Sequence, residues 1–192
     1  MRPRATGHRP QDYLLAAFAL ALSSPLLVAA IVAIRLESRG SAIFKQRRVG
    51  KDGVPFDMYK LRTMVSGSDR GPDLPLEQSD PRITRTGALL RRYSLDELPN
   101  LVNVLRGEMA IVGPRPTIPS QVEHYTDHQR RRLEVKPGLT GWAVVNGRVS
   151  LEWPERIELD IWYVDHRSLW LDLRILAKTV WLLVSGHGLY SG

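Results

Sequence analysis

Residues 13–34 read YLLAAFALALSSPLLVAAIVAI, a run of 22 residues without a charge. A straight helix of that length reaches about 33 Å, enough to cross a hydrocarbon core of about 30 Å. Ser23, Ser24 and Pro25 sit at its centre. Proline lacks the N–H that a helix interior needs and clashes with the preceding turn, so a kink or break is expected there. The serine hydroxyls can bond the carbonyls so freed. Both flanks are basic: Arg2, Arg4 and Arg9 before the run, then Arg35, Arg39, Lys45, Arg47 and Arg48 after it. Basic flanks stay in the cytoplasm. A straight span would send one of them outside, whereas a helix–break–helix that enters one leaflet and returns keeps both inside. The expectation is a re-entrant membrane helix over residues 1–40, broken at Ser24 and Pro25. A straight span, a buried core helix and a cleaved signal peptide stay open. Ala17-Phe18-Ala19 and Ala19-Leu20-Ala21 mimic a cleavage site, but the apolar run continues past both.

The whole chain has 192 residues, room for one domain with a core and too few for two full ones. Residues 41–192 are therefore expected to form one functional unit. Apolar residues make up 43% and mean hydropathy is −0.20, which excludes a polytopic membrane protein. Cations outnumber anions 27 to 20, for a net charge of +7, and 22 of the cations are arginine. Such a chain calls for an anionic partner: nucleic acid, a phospholipid surface or a phosphorylated substrate. No helix-turn-helix spacing or aromatic–basic interleaving supports nucleic acid. The absence of cysteine excludes disulfides, thiolate–zinc sites and cysteine nucleophiles.

Beyond the apolar run, the pattern predicts an α+β fold that is mainly helical. Ala42 to Val49 and Val54 to Leu61 flank the turn Gly50-Lys51-Asp52-Gly53, a small β-hairpin. Residues 66–82 read as a long loop. Gly87 to Met109 is helical in pattern, with Leu95, Leu98, Val102 and Leu105 on one stripe. Residues 120–134 are a polar, arginine-rich helix candidate, in which Arg130-Arg131-Arg132 reads as a solvated or lipid-facing run. Residues 136–148 form a glycine-punctuated loop with a short strand at most. All five tryptophans lie after residue 141. Leu169 to Val184 is apolar but interrupted by Asp172, Arg174 and Lys178. It is expected to be an amphipathic interfacial helix, with a core-packing helix as the alternative.

The densest chemistry lies in Arg91-Arg92-Tyr93-Ser94-Leu95-Asp96-Glu97-Leu98-Pro99. Ser94 and Glu97 have capping-box spacing, which would make this a helix start and nothing more. Carboxylates at a helix N-terminus are held ionised, and the same amides can bind phosphate. Adjacent Asp96 and Glu97 point about 100° apart on a helix, which suits two roles better than one shared proton. One can be a nucleophile and the other a magnesium ligand. Phosphate-binding cations are expected from Lys60 and Arg62 at the hairpin end, from Arg91, from Arg115 between Pro114 and Pro116, and from Arg148. His124 and His128 form an i,i+4 pair without the glutamate of a zinc motif, so no zinc site is expected.

With these residues in view, the chain resembles the small monotopic phosphoglycosyl transferases, the bacterial sugar transferase family. The likeness runs through Ser24-Pro25, Tyr59 to Met64, Ser94 to Pro99, Asn103 to Met109 and Val112 to Pro116. It continues through Pro137 to Ala143, Val145 to Arg148, Glu158 to Asp160 and Leu171 to Leu173. The resemblance implies an enzyme on the cytoplasmic face of the inner membrane. Such an enzyme moves sugar 1-phosphate from a UDP-sugar to a polyprenol phosphate such as undecaprenyl phosphate, and releases UMP. It implies Asp96 as nucleophile, Glu97 as Mg²⁺ ligand, and Lys60, Arg91, Arg115 and Asp172 as active-site residues. Two positions depart from the family pattern: Val144, where glutamine is usual, and Val149, where asparagine is usual. Two other readings compete, a membrane-tethered basic binding protein and a soluble nucleotide-sugar hydrolase.

Overall fold

The computed structural model describes residues 9–67, 80–147 and 151–185. Helix α1 runs from Pro10 to Glu37 as one element of 28 residues, with Pro25 inside it. The proline's missing N–H would orphan the carbonyl of Ala21, four residues back. Ser24 Oγ donates to that carbonyl at 2.8 Å, and Ser23 Oγ donates to the carbonyl of Ala19 at 2.7 Å. The helix is therefore continuous where a helix–break–helix was expected, because the serines take up carbonyls next to the proline.

One face of α1 packs on the rest of the chain. Ala16 in its first half meets Phe56, Met58, Leu101, Val104 and Met109. Ala30 and Ile34 in its second half meet Ala42, Leu61 and Leu90. Each large side chain so buried contributes about 1.5–3 kcal/mol. The opposite face carries Leu14, Phe18, Leu22, Val32 and Leu36, all more than half exposed. The rest of the described chain leaves them largely uncovered.

The hairpin forms as expected. Strands β1 (Ile43–Val49) and β2 (Pro55–Leu61) pair antiparallel, from Ile43 opposite Leu61 to Val49 opposite Pro55. The turn takes positive φ at Asp52 and Gly53. The predicted long helix over 87–109 is instead three pieces: α2 (Arg85–Arg92), a single 3-10 turn (Leu95–Glu97) and α3 (Asn100–Leu105). Pro99 forces the last separation. It stands as the N-cap of α3, where no N–H is needed.

Two short strands follow, β3 (Ala110–Val112) and β4 (Gly138–Thr140), paired in parallel. Gly138 permits this approach, because a Cβ there would lie 2.1 Å from the Gly113 nitrogen. Between them, the polar segment splits into α4 (Pro119–Val122), α5 (Asp127–Arg130) and a 3-10 turn at Arg131–Glu134. Thr126 and Gln129 form the capping box that starts α5. The chain then continues through α6 (Trp142–Val145), α7 (Trp153–His166) and α8 (Leu169–Ser185).

Helix α8 has both faces the sequence left open. Leu171, Asp172 and Ile175 are buried, while Trp170, Val180, Trp181 and Val184 are exposed. Both ends of α1 are fastened to the body of the chain. At the N-terminal end, Arg9 forms an ion pair with Asp172 of α8. At the C-terminal end, Glu37 accepts from the Arg85 and Thr86 amides at the start of α2, at 2.7 and 2.9 Å.

Candidate active site

The site is built around the 3-10 turn. Ser94, just before it, is left-handed at φ 53°, and its hydroxyl makes no capping bond. The capping box suggested by the spacing therefore does not form. A left-handed serine is strained, since only glycine takes that conformation without cost. Glu97, at the end of the turn, faces two cations. Lys60 Nζ donates to Glu97 Oε1 at 3.1 Å, and Arg115 Nη2 donates to the same oxygen at 2.6 Å. The Lys60 and Glu97 side chains are 17% and 16% exposed, so water screens this pair less than a surface ion pair.

Each cation is held from behind. Lys60 lies near the end of β2, whose outer edge is completed by a side chain. Asn103 of α3 accepts from the Tyr59 amide at 3.1 Å and donates to the Asp57 carbonyl at 2.7 Å, as a neighbouring strand would. Asn103 is fully buried and also donates to Glu108 at 2.7 Å. Arg115 projects from a turn fixed on both sides. The Pro114 carbonyl accepts from the Gly138 amide, and the Thr117 carbonyl accepts from the Val49 amide. The Arg115 carbonyl accepts from Arg132 Nη2 at 2.9 Å.

Asp96 makes no hydrogen bond or ion pair among the described residues. Burial and the adjacent Glu97 charge push its carboxyl above the usual carboxylate range, against the opposing pull of Lys60, Arg91 and Arg115. Burial pushes the Lys60 ammonium below the usual lysine range, in part offset by Glu97. Glu97 keeps the Arg115 guanidinium firmly charged. The geometry thus gathers three of the expected site residues, Lys60, Glu97 and Arg115, with Asp96 and Arg91 in electrostatic range. Among the described residues, one carboxylate is clamped by two cations and the other has no side-chain partner.

Two expected site residues lie elsewhere. Arg62 donates to the Ser38 and Arg39 carbonyls, each at 2.8 Å, and ties down the end of α1. Asp172 pairs with Arg9 and accepts from the buried Tyr163 hydroxyl at 2.6 Å. Arg148 and Val149 lie outside the described residues.

Two residues behind the site were not singled out. Asn103 is a polar side chain within an apolar stretch, which was the available signal. Arg132 was read as part of a solvated run, but it is 3% exposed and paired with equally buried Asp160 at 2.5 Å. Its triplet position concealed this, because Arg131 beside it faces outward to Asp165.

The model of the bacterial sugar transferases matches residues 4–186. The chain belongs to the bacterial sugar transferase family. The family resemblance drawn from Ser94 to Pro99 and the later motifs is thereby borne out. Among its relatives is the uncharacterized sugar transferase EpsL of Bacillus subtilis, 45% identical over 93% of this chain and 87% of that protein. A UDP-glucose:undecaprenyl-phosphate glucose-1-phosphate transferase of Caulobacter vibrioides is 45% identical over 95% of this chain and 71% of that protein. A UDP-N-acetylgalactosamine-undecaprenyl-phosphate N-acetylgalactosaminephosphotransferase of Aeromonas hydrophila is 39% identical over 94% of this chain. The chain covers only 44% of that last protein's length, so this transferase matches one part of a larger relative.

Proposed function

We propose that the chain transfers sugar 1-phosphate from a UDP-sugar to a polyprenol phosphate, through a phosphosugar carried on Asp96. The observation that carries this is the pairing of an uncommitted Asp96 with a Glu97 held by Lys60 and Arg115. An Asp96 carboxylate oxygen bonds to the β-phosphorus as the bond to the α-phosphate oxygen breaks, and UMP leaves. The phosphate oxygen of the acceptor then bonds to the same phosphorus and displaces Asp96. The products are UMP and polyprenol diphosphate-sugar. Splitting the transfer in two lets one small site serve a soluble nucleotide and a lipid in turn.

Lys60 and Arg115 supply the positive field that lets an anionic nucleophile approach a diphosphate. Arg115 offers a planar fork suited to two phosphate oxygens, and Arg132 holds its backbone in place. Arg91 adds positive potential at Asp96 and favours its ionised form. Magnesium takes one or two carboxylates together with phosphate oxygens, and Glu97 beside the diphosphate site is a donor of that kind. Bound there, Mg²⁺ would neutralise charge on the diphosphate.

The location we propose is the cytoplasmic face of the inner membrane, entered from one side. The fastening of both α1 ends to one polar body supports this. A helix of 28 residues is about 42 Å long. Were it to cross the bilayer, Arg9–Asp172 and the Glu37–Arg85 contact would have to sit on opposite faces while joined to the same small body. The exposed apolar faces of α1 and α8, with Trp170 and Trp181, suit the lipid interface.

The reading is tested by screening UDP-sugars for UMP release with undecaprenyl phosphate, in detergent. One donor should give UMP and lipid-linked sugar together, and Asp96→Asn should give neither. Release of UMP with free sugar phosphate and no lipid product would favour the hydrolase reading instead.

A further inference from the structure

A cavity of about 370 Å³ opens beside Glu97 and Arg115 and runs between α1 and α8. That volume is within the usual range for small-molecule sites, about 300–1,000 Å³. Leu15 and Phe18 of α1 form one wall, Leu176 and Leu183 of α8 another, and Leu98 and Val144 contribute to the lining. Its polar lining consists of Ser94, Glu97, Arg115, Thr140 and Thr179. The two threonines hydrogen-bond to each other at 2.7 Å, and Glu97 and Arg115 are joined by their ion pair.

Resting on the transfer reading above, we propose that this cavity takes the isoprene units nearest the acceptor's phosphate. Continuity with the site decides between occupants. A ligand that fills the groove and reaches Arg115 must be anionic at one end and apolar along the rest. A nucleobase does not fit that description. The α1 and α8 walls are apolar except for Thr179, whose hydroxyl is already bonded to Thr140 and to the Ile175 carbonyl, so most of an imide edge buried there would be left unpaired, at a cost in free energy. The rim points the same way. Phe18 and Leu15 line the cavity and are also 70% and 46% exposed, on the outer apolar face of α1. A chain leaving the groove therefore emerges where the protein presents apolar surface. The cavity is far too small for a full undecaprenyl chain. Only the units next to the phosphate are read, and the remainder stays in lipid.

Val144 belongs to this wall. Its departure from the family's glutamine then bears on the lipid tail, not on the sugar.

The test uses the wild-type protein in detergent micelles and a C20 prenyl phosphate with a diazirine on its second isoprene unit. After photolysis, adducts should map to residues 15–19 and 176–183 and be lost with excess unlabelled prenyl phosphate. Adducts elsewhere would overturn the proposal. So would displacement of the probe by UMP but not by prenyl phosphate, which would make the groove the nucleotide's. Equal labelling by a diazirine phosphatidylglycerol, insensitive to prenyl phosphate, would mark it as a bulk-lipid contact. Leu176→Trp should raise the acceptor KM about tenfold or more with the UDP-sugar KM unchanged. An unchanged acceptor KM would count against the groove. If the wild type forms lipid-linked sugar but the adducts fall elsewhere, the groove alone fails. If no UDP-sugar yields lipid-linked product, the transfer reading fails and the groove's occupant fails with it.

Discussion

Arg132 donates from Nη2 to the backbone carbonyl of Arg115 at 2.9 Å, and it also donates to Asp160 and to the Tyr125 hydroxyl. A fully buried ion pair thus stands directly behind the cation that grips Glu97. Removing one partner of such a pair strands the other charge, at a cost of about 3–5 kcal/mol. Arg132→Met should lower unfolding free energy by that amount in urea melts. Arg132→Met with Asp160→Leu should recover most of it, since apolar replacement of a buried pair is often neutral. The double variant still lacks the bond to the Arg115 carbonyl, so its kcat should stay about tenfold down. Recovery of both stability and kcat would show that Arg132 is only a packing element.

The Asp96 carboxyl is raised above its unfolded value, chiefly by burial. The folded state therefore holds the proton more tightly than the unfolded one. Its contribution favours folding below the unfolded pKa and is lost as pH rises through the folded pKa. Asp96→Asn removes a buried charge that costs stability at neutral pH. The variant should have a higher Tm than wild type at pH 7.5, and the gap should close as pH falls toward 4. A lower Tm at pH 7.5 would contradict this.

The same electrostatics set the acid limb of activity. On the proposed mechanism transfer needs an ionised Asp96, so kcat/KM should fall below a pH above the ordinary aspartate range. Lys60 and Arg91 favour the ionised form. Lys60→Met should therefore move the acid limb to higher pH as well as lower the rate. Arg115→Lys keeps the charge but loses the fork, and should cost about 10²-fold in kcat/KM with the limb little moved. Chelation of Mg²⁺ should abolish turnover, with activity restored by added Mg²⁺.

The topology has a clean readout because the chain has no cysteine. Gln11→Cys and Arg39→Cys place single thiols at the two exposed ends of α1. Both should be labelled by a membrane-impermeant maleimide in inverted vesicles and protected in intact spheroplasts. Labelling of either in spheroplasts would rule out the one-sided arrangement. Ser24→Ala removes the hydroxyl that satisfies the Ala21 carbonyl and should destabilise α1 by about 1 kcal/mol.

What the sequence made legible follows from local rules. The hairpin was readable because alternation and a Gly-Lys-Asp-Gly turn are both short-range signals. The Asp96–Glu97 pair and its cations were readable because charged residues stand out in a motif. The single helix across 87–109 was misread because its apolar stripe is real, but Ser94 is left-handed and Pro99 must begin a helix. Those are backbone facts that periodicity does not encode. The β3–β4 pairing and the Arg132–Arg115 bond join residues far apart in sequence, and no local pattern announces them. Arg62 was expected in the site from its place at the hairpin end and Asp172 from the resemblance, and here they fasten the two ends of α1.

The central claim is a covalent phosphosugar on Asp96. Intact mass measured after mixing the protein with its UDP-sugar and Mg²⁺, without acceptor, tests it directly. The expected result is a species heavier by one sugar phosphate, mapping to the peptide that contains Asp96, absent in Asp96→Asn and discharged by polyprenol phosphate. Wild-type turnover by Asp96→Asn, or an adduct on another residue, would contradict it.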